Sequence, residues 1–183
     1  MKDSNSDKVK NCLYRVKNGK VENIYSHQLF TESIDIEGNY QLGEFLLNEL
    51  TTKRCFKIKE KNFLILQCGE LNILKNIQSN NNKVEFRLNE DKNLHVLFKQ
   101  ILKKTDVFLN PIHTPMGNQG KMAKRREFLS SDRKYYFSTS NTSKGSENLQ
   151  ANSLQYAYYN KKQIDALEIK CQDKFIRKVF EIK

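Results

Sequence analysis

The spacing of apolar and polar residues changes period several times along the chain. From Arg54 to Leu88 three strand-type runs follow one another, CFKIK, NFLILQCGELNIL and KVEFRL, separated by EK and the polar QSNNN. Short runs rich in aromatic and β-branched residues between polar breaks predict strands. The segment therefore reads as an antiparallel meander with one long central strand. Upstream, Leu13, Tyr14 and Val16 lead into Lys17-Asn18-Gly19-Lys20, and Val21, Ile24 and Tyr25 follow. Asn-Gly between two such runs predicts a hairpin over 12–16 and 20–26. Tyr40, Leu42, Phe45, Leu46 and Leu50 recur at helical spacing behind Asn39, which predicts a capped helix over 40–50. Leu94, Leu97, Phe98, Ile101 and Leu102 predict a second helix over 92–104, with Lys103 and Lys104 at its negative end.

Beyond residue 104 the pattern is more broken. DVFLN (106–110) reads as a strand. Both prolines, Pro111 and Pro115, fall with Gly117 and Gly120 in one stretch, which reads as a loop. The basic segment KMAKRREFLSSDRK (121–134) follows, then the strand-like YYFSTS (135–140) and a polar stretch, loop or helix start, at 141–153. A helix from the YAYY segment through about Asp165, then strands LEIKC and FIRKVFEI, close the chain. Hairpin, helix, meander and helix in this order predict an α+β fold, mainly antiparallel β, built as a small OB-like five-stranded barrel. The expected organisation is a tail at 1–10, the barrel at 11–110 and a basic extension at 111–183 packed on it.

Hydrophobic residues make up 38% of the 183, enough for a globular core and too many for a wholly disordered chain. No run reaches the roughly 20 apolar residues of a membrane helix. The start, MKDSNSDKVKN, lacks an apolar core segment, so a cytoplasmic or nuclear protein is expected, neither secreted nor membrane-bound. Cys12, Cys55, Cys68 and Cys171 have no metal-ligand spacing, and Cys55 and Cys68 read as reduced packing residues. No metal and no cofactor is expected. Net charge is +11, and the excess leans C-terminal: 18 basic against 14 acidic residues over 1–110, 14 against 7 over 111–183. Such a balance points to DNA or RNA, direct or through other protein subunits, although a Lys- and Asn-rich composition alone raises it.

The run NFLILQCGELNIL with its polar turn and KVEFRL resembles the last strands of the OB fold in the telomere-end-binding β-subunit class, which includes the telomerase-recruiting domain of the shelterin complex. LYRVKNGKVENIYSHQLF is similar to that family's earlier strand–turn–strand, with Gln28 to Phe30 opening the connecting helix. The resemblance covers residues 12–90. It implies a non-catalytic module that docks a protein partner, a single strand, or both, in a telomere- or telomerase-type assembly.

In the basic block, Lys121, Lys124, Arg125, Arg126, Arg133 and Lys134 are candidates to neutralise phosphates. Tyr135 and Tyr136, followed by Phe137, are candidates to stack bases. The competing reading turns Tyr135 and Phe137 into a core and leaves the charges solvated. A metal-dependent PD-(D/E)xK-type nuclease is the enzymatic alternative, with Asp106, Glu168 and Lys170 holding a divalent ion and activating water. A ribosome-associated structural protein is a third possibility. Ser138 to Gln155 is similar to the GSxN…NxEN segment of phospholipase D-type nucleases, but MAKRREFL lacks the nucleophilic histidine those enzymes need, and His113 stands elsewhere. Gly117 to Lys121 departs from a phosphate-binding loop because Met122 replaces the required hydroxyl residue. His27 and His95 read as ordinary half-buried histidines.

Overall fold

The computed structural model describes residues 12–17, 19–112, 118–140, 155–172 and 175–183. The expected hairpin forms as β1 (Cys12–Lys17) and β2 (Lys20–His27), paired antiparallel, with Gly19 supplying the positive φ of 74°. A single helical turn, α1 (Ser33–Ile36), leads to α2 (Tyr40–Thr52), whose cap is the expected Asn39: its side chain accepts from Leu42 N at 3.1 Å. The helix predicted at 92–104 is α3 (Lys92–Lys104), capped by Asp91 through Asn93 N and Leu94 N.

The meander is only half present. β3 (Cys55–Ile58) and β4 (Lys61–Ile65) pair antiparallel as expected. The long central strand is broken after Ile65. A 3₁₀ turn spans Cys68–Ile73, and β5 (Leu74–Ile77) then pairs with β6 (Lys83–Phe86) in a separate two-stranded ribbon. Two contacts enforce the break. Glu70 turns inward to meet Arg54, and Gly69 lies so close to the preceding loop that a Cβ would stand 2.4 Å from Thr31 Cα. An apolar run carries no mark of either event, because both depend on partners far away in sequence.

The remaining strands are β7 (Val107–Ile112), β8 (Tyr135–Ser140), β9 (Ala157–Tyr159), β10 (Lys162–Gln163), β11 (Glu168–Gln172) and β12 (Phe175–Val179). Between β7 and β8 lies α4 (Gln119–Leu129), capped by Asn118, where a basic loop is expected from sequence. Its buried positions, Met122, Arg125, Arg126 and Leu129, do follow the helical period, but two of the four are arginines and disguise it. The helix expected through Asp165 is absent from residues 155–165. Asn160 and Lys161 take left-handed φ values of 47° and 69° and fold Tyr158 and Tyr159 back against Lys162 and Gln163.

The fold is α+β. Its main sheet has six strands in the order β10-β9-β8-β7-β4-β3. β4, β7 and β8 run parallel at its centre, with antiparallel strands on either side. The order has two free ends, and β1–β2, β5–β6 and β11–β12 pair separately, so the described strands form an open sheet and no closed barrel. The physical reason is α3 and α4: a helix after β4 and another after β7 return the chain to start the next strand in the same direction. The expected boundary at residue 110 falls inside the sheet, because β8 pairs with β7 from Val107↔Tyr135 to Ile112↔Ser140.

One face of the sheet, through Leu64, Leu66, Phe108, Tyr136 and Tyr158, joins α2, α3 and α4 in a single core with Leu46, Leu47, Leu50, Leu94, Phe98, Ile101, Met122 and Leu129. The other face is thinner. Phe180 packs on Phe137 with ring centres 5.3 Å apart, and Lys183 N donates to the Tyr135 hydroxyl at 3.0 Å. Cys68 is buried as expected, whereas Cys55 is exposed on the edge strand β3. Among the described residues no helix is long and apolar enough to cross a membrane.

Candidate nucleic-acid interface

The amino ends of the three parallel strands meet the C-terminal ends of α3 and α4, and a groove of about 640 Å³ opens between them. Five cations line it: Lys61 where β4 begins, Lys99 and Lys103 one turn apart on α3, and Arg133 and Lys134 in the turn that leads into β8. Lys99 and Lys103 share a face because four residues make about one helical turn.

The turn is held in an unusual backbone. Asp132 and Arg133 both take left-handed φ values, 58° and 62°, so Lys134 N can return to Ser131 O at 3.3 Å. Lys161 N donates to Ser130 O at 3.3 Å and ties the turn to the β9–β10 connection. The backbone thus points Arg133 outward and delivers Lys134 and Tyr135 to the sheet.

Two acids line the groove, and each is engaged locally. Asp106 Oδ2 accepts from Asn62 N at 2.7 Å, which locks the start of β7 to β4. Asp132 stands 3.7 Å from Lys134 Nζ. Lys61, Lys99, Lys103 and Arg133 form no ion pair among the described residues. Unpaired like charges on one concave surface raise the local potential and attract an anionic chain.

Of the residues expected from sequence to contact nucleic acid, Arg133 and Lys134 lie in this groove. Lys124 is exposed on α4 and pairs with Glu127 at 2.9 Å. Lys121 is half-buried, its carbonyl accepting from Asn76 Nδ2 at 3.2 Å. The other four are interior. Arg125 donates to Asn76 Oδ1, Asn72 Oδ1 and Leu71 O at 2.9, 2.8 and 3.2 Å, and burial, with the Arg87 charge adding to it, pulls its pKa down to about 10. Arg126 is buried over the Tyr156 ring. Tyr135 stacks on Tyr159 with centres 4.4 Å apart, and Tyr136 is fully buried. Rings enclosed in this way have no open face for a base.

Asp106, Glu168 and Lys170 are not brought together. Asp106 lines the groove, whereas Glu168 and Lys170 do not. They sit on the separate β11–β12 ribbon, 2.8 Å from each other, with Arg177 on the same carboxylate at 3.3 Å. Lys170 and Arg177 hold the Glu168 pKa below the usual carboxylate range. Among the described residues no group of His, Cys, Asp or Glu is arranged to hold a metal ion. Ser138 is buried on β8 and accepts from Tyr156 N at 2.9 Å; His113, Gly117 and residues 141–154 lie outside the described residues. His95 is half-buried against Phe86, ring centres 6.2 Å apart.

Lys61, Lys99 and Lys103 are the groove residues that the sequence does not single out. Lys99 and Lys103 carry a usable signal, their i, i+4 spacing on the polar face of α3. Lys61 carries none, because its place depends on β4 lying beside β7. No family model matches this chain, and no curated protein or solved structure matches it.

Proposed function

We propose that the protein is a non-catalytic subunit of a nucleic-acid or ribonucleoprotein assembly and that its groove holds the phosphate backbone of a single strand. The observation that carries this reading is the convergence of Lys61, Lys99, Lys103, Arg133 and Lys134 on one groove whose two acids are locally engaged. The net charge of +11 supports it. The resemblance of residues 12–90 to the telomere-end-binding OB class adds the kind of assembly, a telomere- or telomerase-type complex in which the module also docks a protein subunit. That role does not require a closed barrel, since a groove beside an open sheet can track a strand equally well.

The test is fluorescence anisotropy on labelled single-stranded DNA and RNA, including a G-rich telomeric repeat and its scrambled counterpart, over a range of KCl. Lys103→Gln/Arg133→Asn/Lys134→Gln removes three contacts, and Asn suits the left-handed backbone at 133. Binding weakens on all sequences, and the slope of log K against log salt falls by about 3, roughly one per lost phosphate contact. The thermal melt stays close to that of the unsubstituted protein. Equal affinity and equal slope in the two proteins rule the groove out as the contact surface.

A further inference from the structure

At the opposite, carboxyl ends of β4, β7 and β8 a second polar cluster lies on the helix-covered face. The Tyr136 hydroxyl donates to Asn110 Oδ1 at 2.8 Å, and Asn110 Nδ2 donates to the Leu66 carbonyl at 2.6 Å. Arg126 and Ser138 also hydrogen-bond that hydroxyl. Arg126 enters from α4. Its Nη2 donates to Gln119 Oε1 at 3.0 Å, and its guanidinium carbon lies 3.8 Å from the centre of the Tyr156 ring.

The environment of Arg126 is incomplete. The residue is 2% exposed, yet Gln119, Tyr136 and Tyr156 are all neutral, and it forms no ion pair among the described residues. Its Nε is buried with no acceptor at all. The two other buried arginines differ. Arg54 has the Glu70 carboxylate, and Arg125 directs its donors to three neutral oxygens. A buried guanidinium with a spare N–H and no counter-charge is costly, and an anion relieves both defects. Ligands of open sheets with parallel strands bind outside the carboxyl ends of those strands, where this cluster lies. Gln119 is the first residue of α4, so its bond holds the guanidinium near the positive end of that helix. That position favours a multiply charged group over a single carboxylate.

We infer that Arg126 anchors a second binding site, distinct from the groove, and that its ligand is a phosphoryl group, free or esterified. Arg126 Nε donates to one phosphoryl oxygen while its Nη atoms keep their present partners. The tyrosine–asparagine–serine cluster positions the guanidinium and takes no part in chemistry.

Inorganic phosphate is the probe, titrated against chloride at constant ionic strength with the melting temperature as readout. At about 100 times its dissociation constant, phosphate raises Tm by roughly 5–11 °C for a chain of this size. Arg126→Met shows no such gain and melts no lower than the unsubstituted protein in chloride, because the unpaired charge has gone. Lys103→Gln/Arg133→Asn/Lys134→Gln keeps the phosphate gain while losing oligonucleotide affinity, so the two sites fail separately. A phosphate gain that is absent from the unsubstituted protein, or equal in Arg126→Met, overturns the inference. If Arg126→Met does not fold, the Nε–H resonance of Arg126 decides: it shifts on phosphate addition and stays put on chloride, and a resonance unmoved by phosphate refutes the site. A mononucleotide and inorganic phosphate, compared in the same titration, separate an esterified ligand from a free one.

Discussion

Replacing Glu70 by Gln should be among the most damaging single-atom changes available in this protein. The Glu70 carboxylate is fully buried and accepts from three donors: Arg54 Nη1, Leu29 N at 2.9 Å and Gln67 N at 3.0 Å. Arg54 is 1% exposed; its Nε donates to Ser26 Oγ at 2.8 Å and its Nη2 to the His27 carbonyl at 2.8 Å. Ser26 passes the chain on to Glu49 Oε2 at 2.6 Å, which Lys53 balances from the surface at 2.6 Å. The network pins the end of β2, the end of α2 and the 3₁₀ turn to one another. Glu70→Gln keeps the shape and removes the charge, leaving the Arg54 guanidinium buried without its counter-ion. Breaking a buried pair in this way costs about 3–5 kcal/mol, or roughly 6–20 °C in Tm at about 2–4 °C per kcal/mol. Arg54→Met should cost a similar amount, since it strands the carboxylate instead. Each single change leaves one uncompensated charge and the double leaves none, so the double variant should lose about 2–3 kcal/mol less than the sum. Urea unfolding followed by circular dichroism, run as a double-mutant cycle, measures this. Lys57→Ala is the control: its pair with Glu60 is exposed and contributes about 0–1 kcal/mol. Additivity of the two buried substitutions within about 0.5 kcal/mol would refute the reasoning.

Two further stability predictions and the two binding tests above complete the set. Gly69→Ala forces a methyl to within 2.6 Å of the Phe30 carbonyl as well as onto Thr31 Cα, and should lower stability by about 1–3 kcal/mol in the same urea assay. Tyr136→Phe strips Asn110 Oδ1 of its donor and should cost about 1–3 kcal/mol at neutral pH. Burial raises the Tyr136 phenol above its ordinary pKa of 10.0. Its neutral form therefore stabilises the fold fully below about pH 10, and that stabilisation is lost as pH rises beyond it. Denaturation between neutral and alkaline pH should show the loss in the unsubstituted protein and a smaller one in Tyr136→Phe; identical pH profiles would remove Tyr136 as the cause.

Local signals in the sequence carry through wherever local physics decides the outcome. Asn-Gly makes the β1–β2 hairpin, and Asn39 and Asp91 cap helices whose apolar stripes are regular. The strands at 107–112 and 135–140 are also readable. What the sequence hides is pairing. Nothing in NFLIL says that its neighbour is VFLNPI in parallel, forty-odd residues on, and the expected barrel followed from assuming that neighbours in sequence are neighbours in the sheet. The candidate site was obscured by the same gap. Arg125 and Arg126 look like surface charge next to Lys121 and Lys124, but the helix they occupy turns them inward, where asparagine side chains, a carbonyl and a tyrosine ring receive them. Lys61 and Lys99 look unremarkable until β4 and β7 place them on one groove.

The parallel centre of the sheet also sets the order in which the molecule can assemble. Five hairpins, β1–β2, β3–β4, β5–β6, β9–β10 and β11–β12, join strands that are close in sequence, and each can form early. Phe63↔Val107 and Val107↔Tyr135 bring together residues far apart in the chain, and loop closure makes such contacts slow. The groove lies at one end of these three strands and the Arg126 cluster at the other. Both are therefore products of the last folding step. A fragment ending before β8 would keep its hairpins and caps and bind at neither place, which makes ligand binding a direct reporter of complete folding.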